Sequence, residues 1–177
     1  MNTAIYFHPE AYTTTGPKLM GRNAAGESFL RGYLKHSQTD AFWLQVQKQE
    51  HSVLFYKALE VNSIDKPIHT VTHTNLGQLA QAGLVYFPGP GIGEHAFHRA
   101  AFGHGAWSLC GITHTTSSAR AMDAMAELLT APVQPWDAVI CTSSAVKDNV
   151  SRVLQAQSDY LAQRLGASKF ALPMLPV

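Results

Sequence analysis

Short, nearly continuous apolar runs alternate with segments of helical periodicity along the chain, and this alternation limits the possible folds more than any other feature. Six runs predict β-strands: 4–8 (AIYFH), 41–46 (AFWLQV), 67–72 (PIHTVT), 84–87 (LVYF), 107–113 (WSLCGIT) and 138–142 (AVICT). Strands that are apolar on both faces are typical of parallel sheets covered by helices. We therefore expect an α/β fold with a Rossmann-like, doubly wound, mostly parallel sheet and helices on both faces.

The segments between these runs carry helix start and stop residues. Asn75 and Gln78 have the spacing of a capping box, and Ser144 can cap the last helix. Gly83 and Gly166 are expected to end helices. The run 52–59 fits either structure, and a helix is favoured over a strand. The remaining helices are predicted at about 24–36, 94–102, 117–129 and 144–165.

Size and charge exclude several classes of protein. The chain has 177 residues, which is the length of one domain and too short for a closed eightfold barrel of about 250 residues. With 46% hydrophobic residues and a net charge of +1, it is not a disordered chain. Its basic residues are scattered, so a dedicated nucleic-acid binder is excluded as well.

The location is predicted from three features. No apolar stretch approaches the roughly 20 residues that span a bilayer. The start, MNTAIYFHPE, lacks the basic and apolar regions of a secretory signal. Cys110 and Cys141 both lie inside apolar runs, which fits a reducing compartment better than a disulfide scaffold. We expect a cytoplasmic protein.

Ligands of open parallel sheets bind outside the carboxyl ends of the strands, which selects the loops 9–23, 88–93, 114–118 and 143–144. The first loop contains glycines, which let backbone approach a ligand, and basic residues, which suit an anion. The alternative is a long flexible connection. Its candidate ligand-binding residues are Gly16, Lys18, Gly21, Arg22 and Asn23.

His114 lies where a buried strand meets the start of a helix, between Thr113 and Thr115. An imidazole there can bind a sugar hydroxyl or a phosphate, or transfer a proton near neutral pH. The alternative is a histidine that bonds to neighbouring backbone. Ser143 and Ser144 are interpreted as helix caps at the following strand end.

The other motifs favour structural roles. His69 and His73 share a strand face but lie about 13 Å apart, too far for one metal ion. Without CxxC or HExxH, no metal site is expected. The PGPGIG loop (88–93) is interpreted as a structural turn, because Glu94 would repel an anion there. Three further histidines on or after a polar helix are expected to be solvated: His95, His98 and His104.

Three blocks of the sequence resemble a known family. They are GPKLMGRNAAGESFLRGYL (16–34), the long block from WSLCGITHTT to AVKDNV (107–150) and the terminal LPMLPV. They are similar to the N-terminal half of bacterial glycosyltransferases of family 4, which have the two-domain GT-B architecture. One departure is AAGE at 24–27, where the family more commonly has GG-x-E.

The resemblance implies the acceptor-side domain of a retaining glycosyltransferase with a nucleotide-sugar donor. His114, with Thr115 beside it, would contact the transferred sugar as the catalytic residue. The segment from Gly16 to Asn23 would approach the donor phosphates and the acceptor, with Ser143 and Ser144 at a neighbouring helix start. No metal and no cofactor besides the nucleotide-sugar co-substrate is implied.

The resemblance also predicts the domain organisation and the partners. Residues 1–170 would form the acceptor-side domain, and 171–177 would begin a linker to a C-terminal domain that binds most of the donor. This piece alone would be inactive. A sugar or glycoconjugate is the expected acceptor, and a lipid-linked one would imply peripheral membrane contact, although no basic amphipathic helix favours it.

Two other classes of function stay open. One is a non-catalytic α/β module that binds a small phosphorylated ligand. The other is an assembly or scaffold domain whose first loop orders against a protein partner.

Overall fold

The sheet has six parallel strands in the order β3-β2-β1-β4-β5-β6, in a computed structural model that describes residues 2–14 and 21–177. This is the strand order of the Rossmann fold. It confirms the predicted α/β class and all six predicted strands. The strands are β1 (Ala4–Tyr6), β2 (Phe42–Gln45), β3 (Ile68–Val71), β4 (Leu84–Tyr86), β5 (Ser108–Thr113) and β6 (Ala138–Cys141).

In the described part of the chain, seven α-helices lie between the strands or after the last one, and their bounds confirm most of the predicted helices. The run at 52–59 is helical, as favoured. The helices are α1 (Pro9–Tyr12), α2 (Gly21–His36), α3 (Ser52–Val61), α4 (Leu79–Ala82), α5 (Gly93–Ala100), α6 (Ala119–Ala126) and α7 (Ser144–Leu165). Short 3-10 turns precede α3 and α4 and follow α6.

The chain divides into two compact units, residues 1–88 and 89–177. The first unit holds β1 to β4, with β1 paired to both β2 and β4. Ala4 lies opposite Trp43 on one side and Val85 on the other. The chain passes outward from β1 to β3 and then places β4 on the other side of β1. Strand order therefore reverses between β1 and β4.

Aromatic rings fill the core of the first unit. Phe7 stacks on Tyr12 with ring centres 5.1 Å apart and meets Phe55 edge to face at 5.5 Å. Phe55 in turn contacts Phe42 of β2 at 5.7 Å. The Tyr33 hydroxyl of α2 donates to the carbonyl of Thr3, and burial raises the pKa of Tyr33 to about 12. These rings hold α1, α2 and α3 on the sheet.

Helix α2 lies unusually close to α1 because residue 26 is glycine. A Cβ at Gly26 would fall on the carbonyl oxygen of Ala11 and 3.0 Å from the carbonyl carbon. The buried Asn23 side chain donates to the carbonyl of Glu10 at 2.6 Å. The segment 9–23 was expected to be a loop, and this is wrong at both ends. Pro9, whose fixed φ suits a first helical turn, starts α1.

The second unit contains the parallel pair β5 and β6, with Cys110 opposite Ala138. The chain end runs parallel to β6: the amide of Val139 donates to the carbonyl of Met174, and Cys141 donates to Pro176. The segment expected to begin a linker is therefore paired with a strand. A following domain stays a prediction.

A buried ion pair joins the loops at the amino ends of β5 and β6. Arg99 donates to both carboxylate oxygens of Asp137, at 2.6 and 2.8 Å, and to the carbonyl of Trp107 at 2.8 Å. The same carboxylate accepts from the amides of Leu109 and Gln134, each at 2.8 Å. Both side chains of the pair are fully buried. Its hydrogen bonds fix where the two strands begin.

The helix ends follow the predicted chemistry with two corrections. Gly83 and Gly166 end their helices in the left-handed conformation, as predicted. The cap of α7 is Ser143, whose hydroxyl accepts from the amide of Val146, so Ser144 is already helical. The capping box at Asn75 is wrong, because its side-chain oxygen accepts from the amide of Thr72, which precedes it.

A candidate ligand site at the strand-order reversal

A pocket of about 130 Å³ lies at the carboxyl ends of β1 and β4, where the strand order reverses. We call it the switch-point pocket. Its wall is formed by residues that follow β1, by the first turn of α2 and by a residue that follows β4. These residues are His8, Glu10, Ala11, Arg22 and Pro88. Ligands of open parallel α/β sheets bind at this position.

The pocket volume limits what it can hold. Sites that bury a whole drug-sized ligand are larger, at roughly 300–1,000 Å³. The switch-point pocket therefore fits one small group of a ligand, of the size of a phosphate.

Charged groups of both signs face this pocket. Arg22 is the second residue of α2, and its exposed guanidinium supplies a permanent positive charge with planar hydrogen-bond donors. The exposed Glu10 side chain supplies the negative charge, on α1. Because Asn23 bonds to the carbonyl of Glu10, the first turn of α2 and α1 hold the two charged residues on a common frame.

A second histidine stands behind His8. His8 follows β1 directly and is partly buried. Its ring meets that of His51 with centres 5.0 Å apart and planes at 77°. His51 ends the 3-10 turn that follows β2, and its Nδ1 atom is buried with no hydrogen-bond partner in residues 2–14 and 21–177. Neighbouring parallel strands thus bring a second imidazole against the one that lines the pocket.

The structure places the predicted site residues of the first loop in different roles. Arg22 lines the pocket, as a ligand-binding residue should. Asn23 is buried and positions backbone, and Gly21 begins α2 with open space at its Cα. Gly16 and Lys18 lie outside the described residues. Binding by these residues stays a prediction.

His114 follows β5 in the second unit and is partly buried. The neighbouring Thr113 is buried and donates to the carbonyl of Ile140, which ties the end of β5 to β6. The exposed Thr115 shares a hydrogen bond of 2.7 Å with Ser117. The sugar contacts predicted for His114 and Thr115 stay predictions, as do those of Ser143 and Ser144 at the start of α7.

Residues 89–93 of the PGPGIG loop make structural contacts in the second unit, whereas Pro88, in the first unit, lines the switch-point pocket. The amide of Ile112 donates to the carbonyl of Gly89 at 3.1 Å. A Cβ at Gly111 would lie 2.6 Å from that oxygen, so the glycine permits the approach. The side chain of Ile92 is fully buried. These contacts support the interpretation as a structural turn.

One expectation about the α5 histidines is wrong. His95 is partly buried, and burial, with a smaller contribution from His98, lowers the pKa of His95 to about 4. The ring therefore stays neutral at pH 7. His98 and His104 are exposed, as expected.

Comparisons with known proteins add no family. No protein-family model, curated protein or solved structure matches the chain. Within residues 2–14 and 21–177, no group of three His, Cys, Asp or Glu side chains could hold a metal ion. No helix of that same part of the chain is long and apolar enough to cross a membrane.

His8 and His51 lie outside the loops selected from the sequence, and Glu10 lies inside the loop 9–23 but was not singled out. The rule that selects carboxyl ends of strands began its first loop at residue 9, one position after His8. It also left out the connection after β2, where His51 lies. Extending the rule by one residue and to every strand would have included both histidines.

Proposed function

We propose that the chain is the acceptor-side domain of a retaining glycosyltransferase that uses a nucleotide-sugar donor. The observation that carries the proposal is the switch-point pocket, where Arg22 and His8 meet at the reversal of a parallel sheet. A pocket of phosphate size with an arginine suits the charged part of such a substrate. The type of reaction is taken from the resemblance of residues 16–34 and 107–150 to family 4 glycosyltransferases.

Sugar transfer from a nucleotide donor breaks the bond between the anomeric carbon and a phosphate oxygen. Negative charge develops on the leaving phosphate, and fixed positive groups lower the energy of that transition state. In this proposal Arg22 binds phosphate, and His114 donates to the sugar that is transferred. A second domain holds most of the nucleotide, so residues 1–177 bind ligand weakly and do not turn it over alone.

Calorimetric titration with uridine and guanosine diphosphate sugars tests the binding half of the proposal. Arg22→Ala should weaken binding tenfold to a hundredfold, because a hydrogen bond to a charged group contributes about 1.5–3 kcal/mol. Arg31→Ala is the matched control, an exposed arginine about 14 Å further along α2. Equal affinities of the two variants would refute the role of Arg22.

The catalytic half is tested in the full enzyme that carries this domain. His114→Ala should lower the rate of sugar transfer by at least tenfold, while Ser117→Ala on the same loop leaves it near the wild-type value. An unchanged rate in His114→Ala would refute the role of that histidine.

The small pocket also favours a second candidate, a non-catalytic module that binds a phosphorylated ligand. The transferase and the binding module differ in whether the nucleotide sugar is consumed. The module leaves the nucleotide sugar intact in the full protein, whereas the transferase consumes it when an acceptor is present.

A further inference from the structure

We propose that the open sheet edge of the first unit is a dimer interface, at which β3 pairs antiparallel with β3 of a second copy of the chain around a two-fold axis. Helix α3, which joins β2 to β3, contacts the α3 helix of the second copy above the joined sheet. The inference goes beyond the proposed function and does not rest on it, because the interface involves no residue of the switch-point pocket.

Strand β3 has unpaired backbone groups along its outer side. It lies at the end of the strand order, and no strand among the described residues pairs with that side. The carbonyls of Pro67 and Val71 accept hydrogen bonds from amides on the β2 side, so alternate residues of β3 bond to β2. Ile68 and Thr70 therefore direct their amides and carbonyls to the open edge. Another extended strand can complete such a row of donors and acceptors.

The residues of β3 do not block this edge. Natural proteins protect edge strands with lysine, proline, bulges or a covering segment. The four residues of β3 (IHTV) include neither lysine nor proline. The ammonium group of Lys66, just before β3, instead donates to the carbonyls of Ser37 and Thr39 at 3.2 and 2.8 Å. Strand β6 differs, because the chain end pairs with it and contains Pro173 and Pro176. The edge of β3 is thus available to a partner.

Helix α3 adds exposed apolar surface beside the edge. The buried Phe55 and Leu59 anchor it, and the Phe55 ring contacts that of Phe42 in β2. Four large apolar side chains of the ten-residue helix are exposed, up to 84% for the last of them: Val53, Leu54, Tyr56 and Val61. Exposed apolar surface of this kind marks interaction sites. A four-residue strand forms few hydrogen bonds, so these side chains must supply most of the stability of the dimer.

The spacing of the elements favours a second copy as the occupant. An axis between the two His69 residues places Ile68 of each chain opposite Thr70 of the other, and the two pairs exchange their backbone hydrogen bonds. A helix that connects neighbouring parallel strands packs over them. The two α3 helices are then two strand spacings apart, about 9.6 Å. Helices in contact are about 8–10 Å apart. One axis therefore joins both the strands and the helices, and the pairing closes at two copies.

The charges of α3 match those of a second α3 helix. Lys57 and Glu60 are both exposed and lie one turn apart. Helices related by a two-fold axis across the sheet are antiparallel, so Lys57 of each chain lies toward Glu60 of the other. Charges that are complementary across an interface select the partner and its register. The partner selected here is an identical helix.

Light scattering after size exclusion tests the proposal on the 177-residue chain. At micromolar concentration the wild type should have twice the mass of one chain. Thr70→Pro removes an amide that faces the open edge, where an edge strand tolerates proline, and should weaken dimerisation about tenfold or more. Tyr56→Ala should weaken it to a similar degree. Tyr160→Ala, which removes an exposed tyrosine from α7, is the matched control and should not.

Charge reversal on α3 separates an interface from a folding defect. Lys57→Glu and Glu60→Lys each place like charges on both α3 helices of a homodimer, so each variant alone should dimerise at least about tenfold more weakly. A mixture of the two variants should form a heterodimer, because the facing helices then carry opposite charges. Neither a folding defect nor an interaction within one helix can be rescued by mixing. Arg152→Glu, an exposed reversal on α7, should leave dimerisation unchanged.

Amide hydrogen exchange tests the strand pairing directly. The amides of Ile68 and Thr70 should exchange more slowly as the protein concentration rises, whereas those of His69 and Val71, on the β2 side, should not change. A wild-type chain that stays monomeric overturns the proposal and leaves this edge to another protein. A dimer that forms equally well with Thr70→Pro and Tyr56→Ala, or a mass that grows beyond two copies, also overturns it.

Discussion

Replacing Gly26 by alanine tests how closely α2 must lie to α1. The added methyl group would be 3.0 Å from the carbonyl carbon of Ala11 and closer still to its oxygen, whereas ordinary contacts begin at 3.4 Å. The distance to the carbonyl carbon is thus 0.4 Å too short, and that to the oxygen is shorter still. Helix α1 must therefore withdraw by more than 0.4 Å. Overpacking of this kind costs about 1–3 kcal/mol. Alanine in a helix recovers about 0.5–1 kcal/mol through lower backbone entropy. We expect a net loss of up to about 2.5 kcal/mol in the free energy of unfolding.

Gly32→Ala is the matched control on the same helix. Nothing lies within 4 Å of a Cβ built at Gly32, so only the entropic gain of about 0.5–1 kcal/mol applies. Urea unfolding followed by circular dichroism, with equal m-values, should therefore place the two variants on opposite sides of the wild type. A Gly26→Ala variant as stable as Gly32→Ala would refute the close packing of α1 and α2.

Gly26→Ala also connects packing to binding. Ala11 lines the switch-point pocket, and α1 carries Glu10. A displacement of α1 should therefore weaken the nucleotide-sugar binding proposed for the pocket, which Gly32→Ala leaves unchanged. Equal nucleotide-sugar affinities in the two variants would show that the pocket does not depend on this helix contact.

Three further predictions concern single residues. Asp137→Asn leaves the guanidinium of its partner buried without a countercharge and should cost about 3–5 kcal/mol in urea unfolding; a loss below 1 kcal/mol would contradict this. The pKa of His95 is about 4 when folded and about 6.5 when unfolded, so the unfolded state binds more protons between these values and stability rises with pH there. His95→Gln should flatten this rise, whereas the exposed His104→Gln should not, as unfolding at pH 4.5 and 7 would show. Ser143→Ala removes the cap of α7 and should cost about 1 kcal/mol, against less than 0.5 kcal/mol for Ser144→Ala.

The strands and long helices could be predicted because their causes are local. A run such as AVICT at 138–142 is apolar along its length, and Gly166 adopts the left-handed conformation that ends a helix. Helix α1 was missed because four residues are too few to show a helical period. The ion pair was missed because Arg99 and Asp137 are 38 residues apart in the sequence. Their meeting depends on tertiary packing, which no local pattern records.

The strand-end rule and the structure lead to the same part of the chain. The rule selected the loop 9–23, and Arg22 of that loop lines the switch-point pocket. The contact between His8 and His51 depends on the pairing of β1 with β2, where Ile5 lies opposite Leu44. Strand order is a property of the whole sheet, so the partner of His8 could not be chosen from sequence spacing.

Buried polar groups differ in how completely they are hydrogen-bonded. At the amino end of β6, Asp137 is fully buried, and each of its oxygens accepts two hydrogen bonds. At and beyond the carboxyl end of β2, Gln45 Oε1 and His51 Nδ1 are buried with no hydrogen-bond partner in the described residues. Such a group costs about 1–3 kcal/mol, and a fold retains it where a ligand or its water supplies the missing partner. Arg99 Nε of the same pair is also buried without a partner among the described residues, so an unsatisfied atom alone does not mark a ligand site. His51 differs because its ring contacts His8, which lines the switch-point pocket, and this contact supports the proposed site there.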